Sequence, residues 1–260
     1  MPTVTHTIII PAYNEEQRLP LTLERILAFI EQEALSAEIV VVNDGSRDGT
    51  SALVRQWSYR HPIVRLLENP GNRGRGYSVR HAVHKARGDV FLYTDADLSS
   101  PIEESRRLYD ALASGADIAI GSRWVDPRLQ SQRQPLYRQM LGRCFNLLAR
   151  NILQLPFKDT ECGFKAFRRP VAQSVLPLLK MDGWGMDSEF LFVAQRQGLV
   201  IREVPVVWAN DERSKVNPIA DSVAQFADLL RVRANGWMGR YHGSLPASPE
   251  LATGYRPDGR

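Results

Sequence analysis

The chain has 260 residues, 43% of them hydrophobic and 24% charged, which suits a globular protein with one large α/β domain or two small ones. Its formal net charge is +4, but the Lys and Arg residues are scattered. A nucleic-acid binder gathers them into a run or stripe, so no nucleic-acid partner is expected. Cys144 and Cys162 stand apart with no metal-ligand spacing and read as two buried, reduced thiols. Residues 1–6 lack the features of a signal peptide, and no apolar run approaches the roughly eighteen residues of a membrane span.

Short β-branched runs alternate with helical patterns from the start. Thr7–Ile10, Ile39–Val42, Val64–Leu67, Val90–Tyr93 and Ile118–Ile120 read as buried strands. Helices are expected at about 18–33, 50–60, 76–87 and 103–113, the second with Thr50 as its N-cap. This alternation predicts an α/β fold with a mainly parallel, Rossmann-like sheet flanked by helices. Beyond Arg123 the rhythm changes. A basic amphipathic helix is expected within 132–153, helices at 170–179 and 187–197, a strand at 200–208 and a last helix at about 219–238. Residues 1–242 read as one domain. About 1–123 form its first half and 124–242 its second, with accessory C-terminal helices. Residues 243–260, rich in Gly, Pro and Ser, read as a disordered tail.

In a parallel sheet the ligand sits beyond the carboxyl ends of the strands, and here those ends are polar. They carry Pro11–Glu15, Asn43–Ser46, Asn72–Gly76, Asp95–Asp97 and Gly121–Arg123 in turn. Asp95 and Asp97, two residues apart at a strand end, can hold one hard divalent cation through oxygen, or simply form a turn. Asp44 is good turn chemistry and also a potential acceptor for a nucleobase imide; Tyr13 can pack on that base and Glu15 can reach it or a ribose. Gly74 and Gly76, between arginines, open a helix whose N–H groups either attract phosphate or serve a plain loop. Arg123 and Lys215 are candidate phosphate ligands. Arg133, Arg138, Arg143 and Arg150 lie on the amphipathic stretch, which alternates them with Leu136, Met140, Leu141, Phe145, Leu148 and Leu153. That mixture suits an interfacial helix, or one packed on the core.

The ordered set PAYNEE (11–16), NDGSRDGT (43–50), NRGRG (72–76), DAD (95–97), GSR (121–123), DTECGFKAF (159–167), MDSEF (186–190) and SK (214–215) resembles the family 2 glycosyltransferases. The similarity lies within their polyprenyl-phosphate sugar synthases and covers roughly residues 7–218. Cys162–Lys165, Trp184, Asp187, Glu189 and Trp208 are similar to the dolichyl-phosphate β-glucosyltransferases. The resemblance implies a GT-A fold, an Mg²⁺ or Mn²⁺ cofactor, a nucleotide-sugar donor (UDP-glucose) and a polyprenyl phosphate acceptor, dolichyl or undecaprenyl.

By the same resemblance, Pro11, Tyr13, Glu15, Val42 and Asp44 hold the nucleoside, and Asp95, Ala96 and Asp97 the diphosphate and metal. Arg123, Arg138 and Lys215 hold phosphates, Arg138 and Arg143 on the acceptor side. Asp159 sits beside the reacting centre with Asp97 and Arg123. The chain departs from relatives in having Asn43 before Asp44, and Ser99 where mannose-type relatives have a metal-binding Gln. It also lacks the membrane anchors of some relatives, so a peripheral position on the cytoplasmic membrane face is expected. The alternatives are GDP-mannose as donor, a soluble or glycan acceptor, or a silent nucleotide-sugar sensor.

Overall fold

The computed structural model describes residues 4–132, 136–209 and 218–241; along 131–132, 136, 138 and 218–222 it describes the main chain only. The first half runs β1 (His6–Ala12), α1 (Leu19–Gln32), β2 (Ala37–Asn43), α2 (Thr50–Arg60), β3 (Val64–Glu68), α3 (Arg75–Lys85), β4 (Val90–Tyr93), α4 (Ser105–Ala113) and β5 (Ile118–Ser122). The second adds β6 (Gln130–Gln132), α5 (Leu136–Leu153), β7 (Lys165–Arg168), α6 (Arg169–Val175), α7 (Met186–Arg196), β8 (Ile201–Pro205), β9 (Trp208–Ala209) and α8 (Pro218–Trp237). Every strand and helix expected from the sequence is present, with ends shifted by a few residues. The exceptions are the 170–179 segment, which ends in a 3₁₀ turn at Leu176–Leu178, and the 200–208 strand, which divides into β8 and β9. The N-cap expectation is corrected. Thr50 is the first helical residue, and the Asp48 carboxylate accepts its N–H at 3.0 Å.

Seven strands form one sheet in the order β3-β2-β1-β4-β7-β5-β8. All pairings are parallel except those of β7, which runs antiparallel between β4 and β5. The strands are apolar on both faces because both faces are covered. Ile9, Val40, Val42, Phe91 and Ile120 pack on one side against α3, α6, α7 and α8, and Ile8, Ile10, Ile39, Val41 and Leu92 on the other against α1 and α4. Inserting β7 brings a segment of the second half to the middle of the sheet, so the chain just before it, 159–164, reaches the carboxyl end of β4.

Along α5 the alternatives of core packing and open surface divide by face. Ala149 and Leu153 are buried, whereas Tyr137, Met140, Leu141, Leu147 and Leu148 are exposed. On α8, which packs against α5, Leu229 and Val232 are buried while Val223, Phe226, Leu230 and Trp237 stay exposed. Among the described residues no helix is long and apolar enough to cross a membrane. Cys162 is buried as expected, but Cys144 lies exposed on α5, which corrects the reading of two buried thiols. The 243–260 tail lies outside the described residues.

Candidate active site

A cleft of about 520 Å³ opens along the carboxyl ends of β1, β2 and β4. Pro11, Tyr13, Glu15, Asp44, Asp95, Ala96, Asp97 and Arg123, separated by up to 112 positions in sequence, all line it. Val42 does not: its side chain is fully buried in the core beneath. Arg143 and Asp159 do not line it either: Asp159 is fully buried, and Arg143 is exposed on α5. The Arg138 side chain, Arg133 and Lys215 lie outside the described residues.

The loop after β4 is shaped around its two acids. Leu98 takes a φ of 48° immediately after Asp97, a left-handed conformation that a leucine adopts only under constraint. The turn brings the Ser99 N–H back onto Asp97 Oδ1 at 2.9 Å. Thr22 Oγ1 donates to the Ala96 carbonyl at 2.6 Å, anchoring the tripeptide to α1. Asp97 Oδ2 lies 4.0 Å from Arg18, and Asp95 Oδ1 2.8 Å from Arg75. The cleft walls draw the Asp95 carboxyl away from bulk water without covering it, since 44% of its side chain remains open. That desolvation, opposed by Arg75 and reinforced by Asp97, pushes it up to about 6.

The loop after β2 uses its acid differently. Asp44 Oδ1 accepts from Asn69 Nδ2 at 2.7 Å and from the Arg73 N–H at 2.8 Å, and Oδ2 accepts from the Gly74 N–H at 2.8 Å. Of the N–H groups considered for phosphate in the 72–76 loop, those of Arg73 and Gly74 already bind a carboxylate of the same chain. Gly74, with a φ of 98°, has another reason to be glycine, for a Cβ there would lie 2.5 Å from the Asp182 carbonyl oxygen.

Arg123, just past β5, is held from behind. Asp159 is fully buried and takes both Arg123 Nε at 2.7 Å and Nη2 at 2.8 Å, as well as the Arg123 main-chain N–H at 3.0 Å. Burial by itself would raise the Asp159 carboxyl; the Arg123 charge and hydrogen bonds outweigh it and hold it below the ordinary range. The guanidinium lies between Trp124 and Trp208, 5.9 and 5.7 Å from the ring centres, with Nη1 left over for a ligand. The expectation of Asp159 beside the reacting centre becomes a position behind Arg123, orienting it. Arg143 stacks on the other part of this wall, 4.9 Å from the Trp124 ring centre.

Sequence reasoning missed part of this wall. Glu161 lines the cleft and accepts from the Ser188 hydroxyl and, at 3.3 Å, from Thr160 Oγ1. Burial, then the neighbouring Asp187 charge, pushes its carboxyl up to about 7. Behind the Arg75–Asp95 pair is a buried network. Lys165 Nζ donates to Asp187 Oδ1 and to the Cys162 carbonyl, both at 2.5 Å, and the Tyr93 hydroxyl donates to Asp187. Burial would raise Asp187, but Lys165 and Arg75 hold it below the ordinary range. The sequence signal was available: a lysine inside the apolar run Phe164–Phe167 needs a buried acid.

The Asp95 and Asp97 carboxylates open on the cleft and offer oxygen donors, which suits a hard cation. Among the described residues no group of three or more acidic, His or Cys ligands occurs, so other ligands have to come from the donor or water.

Known proteins are similar to this chain in sequence and in fold. Residues 7–176 match the profile of Glycosyl transferase family 2. The dolichyl-phosphate beta-glucosyltransferase of Dictyostelium discoideum is 33% identical over 240 residues, 87% of this chain and 73% of that protein. The enzyme of that name from Homo sapiens is 31% identical over 245 residues, 89% of this chain and 76% of its own length. The fold matches mannosyl-3-phosphoglycerate synthase from Rubrobacter xylanophilus with a TM-score of 0.68 at 19% identity, over 95% of this chain and 79% of that one. It also matches glucosyl-3-phosphoglycerate synthase from Mycobacterium tuberculosis, solved with UDP, with a TM-score of 0.63 at 18% identity, over 88% and 80%. The strand-end cleft is thus set in a GT-A fold, and since the family profile runs from β1 through α6, the chain belongs to glycosyl transferase family 2 and is a glycosyltransferase.

Proposed function

We propose that the enzyme transfers glucose from UDP-glucose to a polyprenyl phosphate, dolichyl or undecaprenyl, with inversion at the anomeric carbon. The observation that carries this is the cleft itself, where a carboxylate pair and an immobilised arginine face one space. The names of the relatives that are 31–34% identical supply the sugar and the acceptor.

Asp95 and Asp97 would hold Mg²⁺ or Mn²⁺, which when bound supplies positive charge for the departing diphosphate. Pro11, Tyr13, Glu15 and Asp44 face the nucleoside. Arg123, locked in place by Asp159, offers Nη1 to a phosphate oxygen at little further cost in side-chain entropy. The nucleophile is an acceptor phosphate oxygen, ionised at neutral pH, so no strong general base is needed. The chain's task is to bring two anions together and keep them in line, in a cleft that Trp184 and Trp208 help to line. Lys215, Arg138 and Arg143 are assigned to the donor and acceptor phosphates.

The exposed apolar faces of α5 and α8 are interleaved with Arg143, Arg231 and Arg233, the last stacked 5.0 Å from the Trp237 ring centre. This pattern suits an anionic membrane surface, where the acceptor lies. Residues 1–123 then carry the donor and 124–242 the acceptor, on the cytoplasmic membrane face.

The test is a matrix of UDP-glucose and GDP-mannose against undecaprenyl phosphate, dolichyl phosphate and a water-soluble phosphate acceptor. UDP-glucose with a polyprenyl phosphate is expected to be fastest. Tighter binding of GDP than UDP would overturn the donor, and equal transfer to the soluble phosphate would overturn the lipid. Arg138→Ala should raise KM for the polyprenyl phosphate and leave UDP affinity unchanged.

A further inference from the structure

Arg75 occupies an unusual place for a cation in a cleft that is to receive a metal. It begins α3, and its side chain is only 9% exposed. The guanidinium is stacked between Tyr93 and Trp184, 5.4 and 5.5 Å from the ring centres. Nη2 lies 2.8 Å from Asp95 Oδ1 and donates to the Gly163 carbonyl at 3.4 Å. Nε is buried, with no hydrogen-bond partner, its nearest acid oxygen being Asp187 Oδ2 at 3.8 Å. Gly163 closes on the pair so tightly that a Cβ would fall 2.2 Å from Arg75 Nη2 and 2.3 Å from Asp95 Oδ2. The two rings and the Gly163 backbone thus crowd the guanidinium against Asp95.

A guanidinium stays charged throughout the accessible pH range. In the cleft without donor, Arg75 already neutralises Asp95, and a dication approaching that carboxylate meets a fixed positive charge a few ångströms away in a partly desolvated site. A nucleoside diphosphate reverses this balance. Its negative oxygens can lie against the metal, while the cavity-lining Arg75 guanidinium gains a second anion beside it.

We propose that Arg75 is a built-in counter-cation that makes divalent-metal binding at Asp95 conditional on a nucleoside diphosphate, so that metal and donor load together. The proposal rests on the reading of Asp95 and Asp97 as the metal ligands. It assigns Arg75 a positioning role, acting on the metal through Asp95.

The experiment measures Mn²⁺ binding to the full chain by electron paramagnetic resonance of the free ion, with and without saturating UDP and corrected for Mn²⁺ bound by UDP in solution. It compares the wild type, Arg75→Met and Arg75→Lys, with thermal melts to establish folding. The wild type is expected to bind Mn²⁺ weakly alone and about tenfold or more tightly with UDP. Arg75→Met should bind Mn²⁺ alone about tenfold more tightly than the wild type and show a smaller gain from UDP, whereas Arg75→Lys, which keeps the charge, should retain a gain of the wild-type sign. A folded Arg75→Met no tighter than the wild type for Mn²⁺ alone overturns the proposal. So does a wild type that binds Mn²⁺ equally well with and without UDP, a result that needs no variant. Absence of Mn²⁺ binding even with UDP would remove the metal assignment itself, and this proposal with it.

Discussion

The loops after β2 and β4 both leave a buried parallel strand through an aspartate, yet the two carboxylates serve different ends. Asp44 is 5% exposed and accepts three hydrogen bonds from the neighbouring 69–74 segment. Asp95 keeps 44% of its side chain open to the cleft and has a cation for a partner. A carboxylate occupied by two main-chain N–H groups and a side-chain amide fixes a loop. One left half-open beside a second acid attracts a ligand. An aspartate at each of two strand ends thus anchors its loop in one case and stays open to a ligand in the other, and the distinction lies in what the surrounding segments bring to each oxygen.

The comparison predicts that the acids differ in what their loss changes first. Asp97→Ala should lower transfer about 10³-fold or more by removing one of two oxygen donors from the metal site, with the thermal midpoint unchanged. Near-normal turnover, or wild-type transfer unaffected by EDTA, would break the metal reading. Asp159→Asn should be milder, lowering kcat/KM by about 10–100-fold, because Arg123 remains but loses the charged group that orients it; an unchanged kcat/KM would make the Arg123–Asp159 pair purely structural.

The converse arm is Asp44→Ala. It leaves the Arg73 and Gly74 N–H groups and Asn69 Nδ2 without their acceptor, a loss of about 3 kcal/mol. For a chain of this size that lowers the thermal midpoint by roughly 6–12 °C. A calorimetric melt identical to the wild type would show that Asp44 is not the anchor of its loop.

The smallest effect concerns Glu161. Its folded carboxyl is raised from 4.5 to about 7, so its charged form is the disfavoured one. The stability it contributes is full below pH 4.5 and is lost as pH rises through about 7. Glu161→Gln, which never ionises, should therefore gain stability relative to the wild type across that interval and run parallel to it below. Parallel melting curves throughout would mean that Glu161 is not desolvated, leaving only the cleft contact.

Much of the fold was legible in the sequence because its signals are local. A β-branched run, a polar turn and a helical period each lie within a dozen residues, so β1 to β5 and the intervening helices could be read in order. The polar strand ends were legible for the same reason, and once the sheet is parallel they must share an edge. The position of β7 was not, because its short run carries no mark of direction, and antiparallel insertion between β4 and β5 is decided by packing across the whole sheet. Cys144 was misplaced because a cysteine on an amphipathic helix does not indicate which face will be covered.

The sequence by itself determined the family, the order of the elements and the identity of Glu15, Asp44, Asp95, Asp97 and Arg123 as cleft-facing groups, since all of these reside in short contiguous motifs. Only the tertiary structure decided how each charge is used. Asp159 reaches Arg123 across 36 positions, Arg75 meets Asp95 across 20, and Lys165 meets Asp187 across 22. The strength and even the sign of an electrostatic interaction depend on distance and desolvation, and for residues far apart in the chain neither exists until the sheet has closed around them.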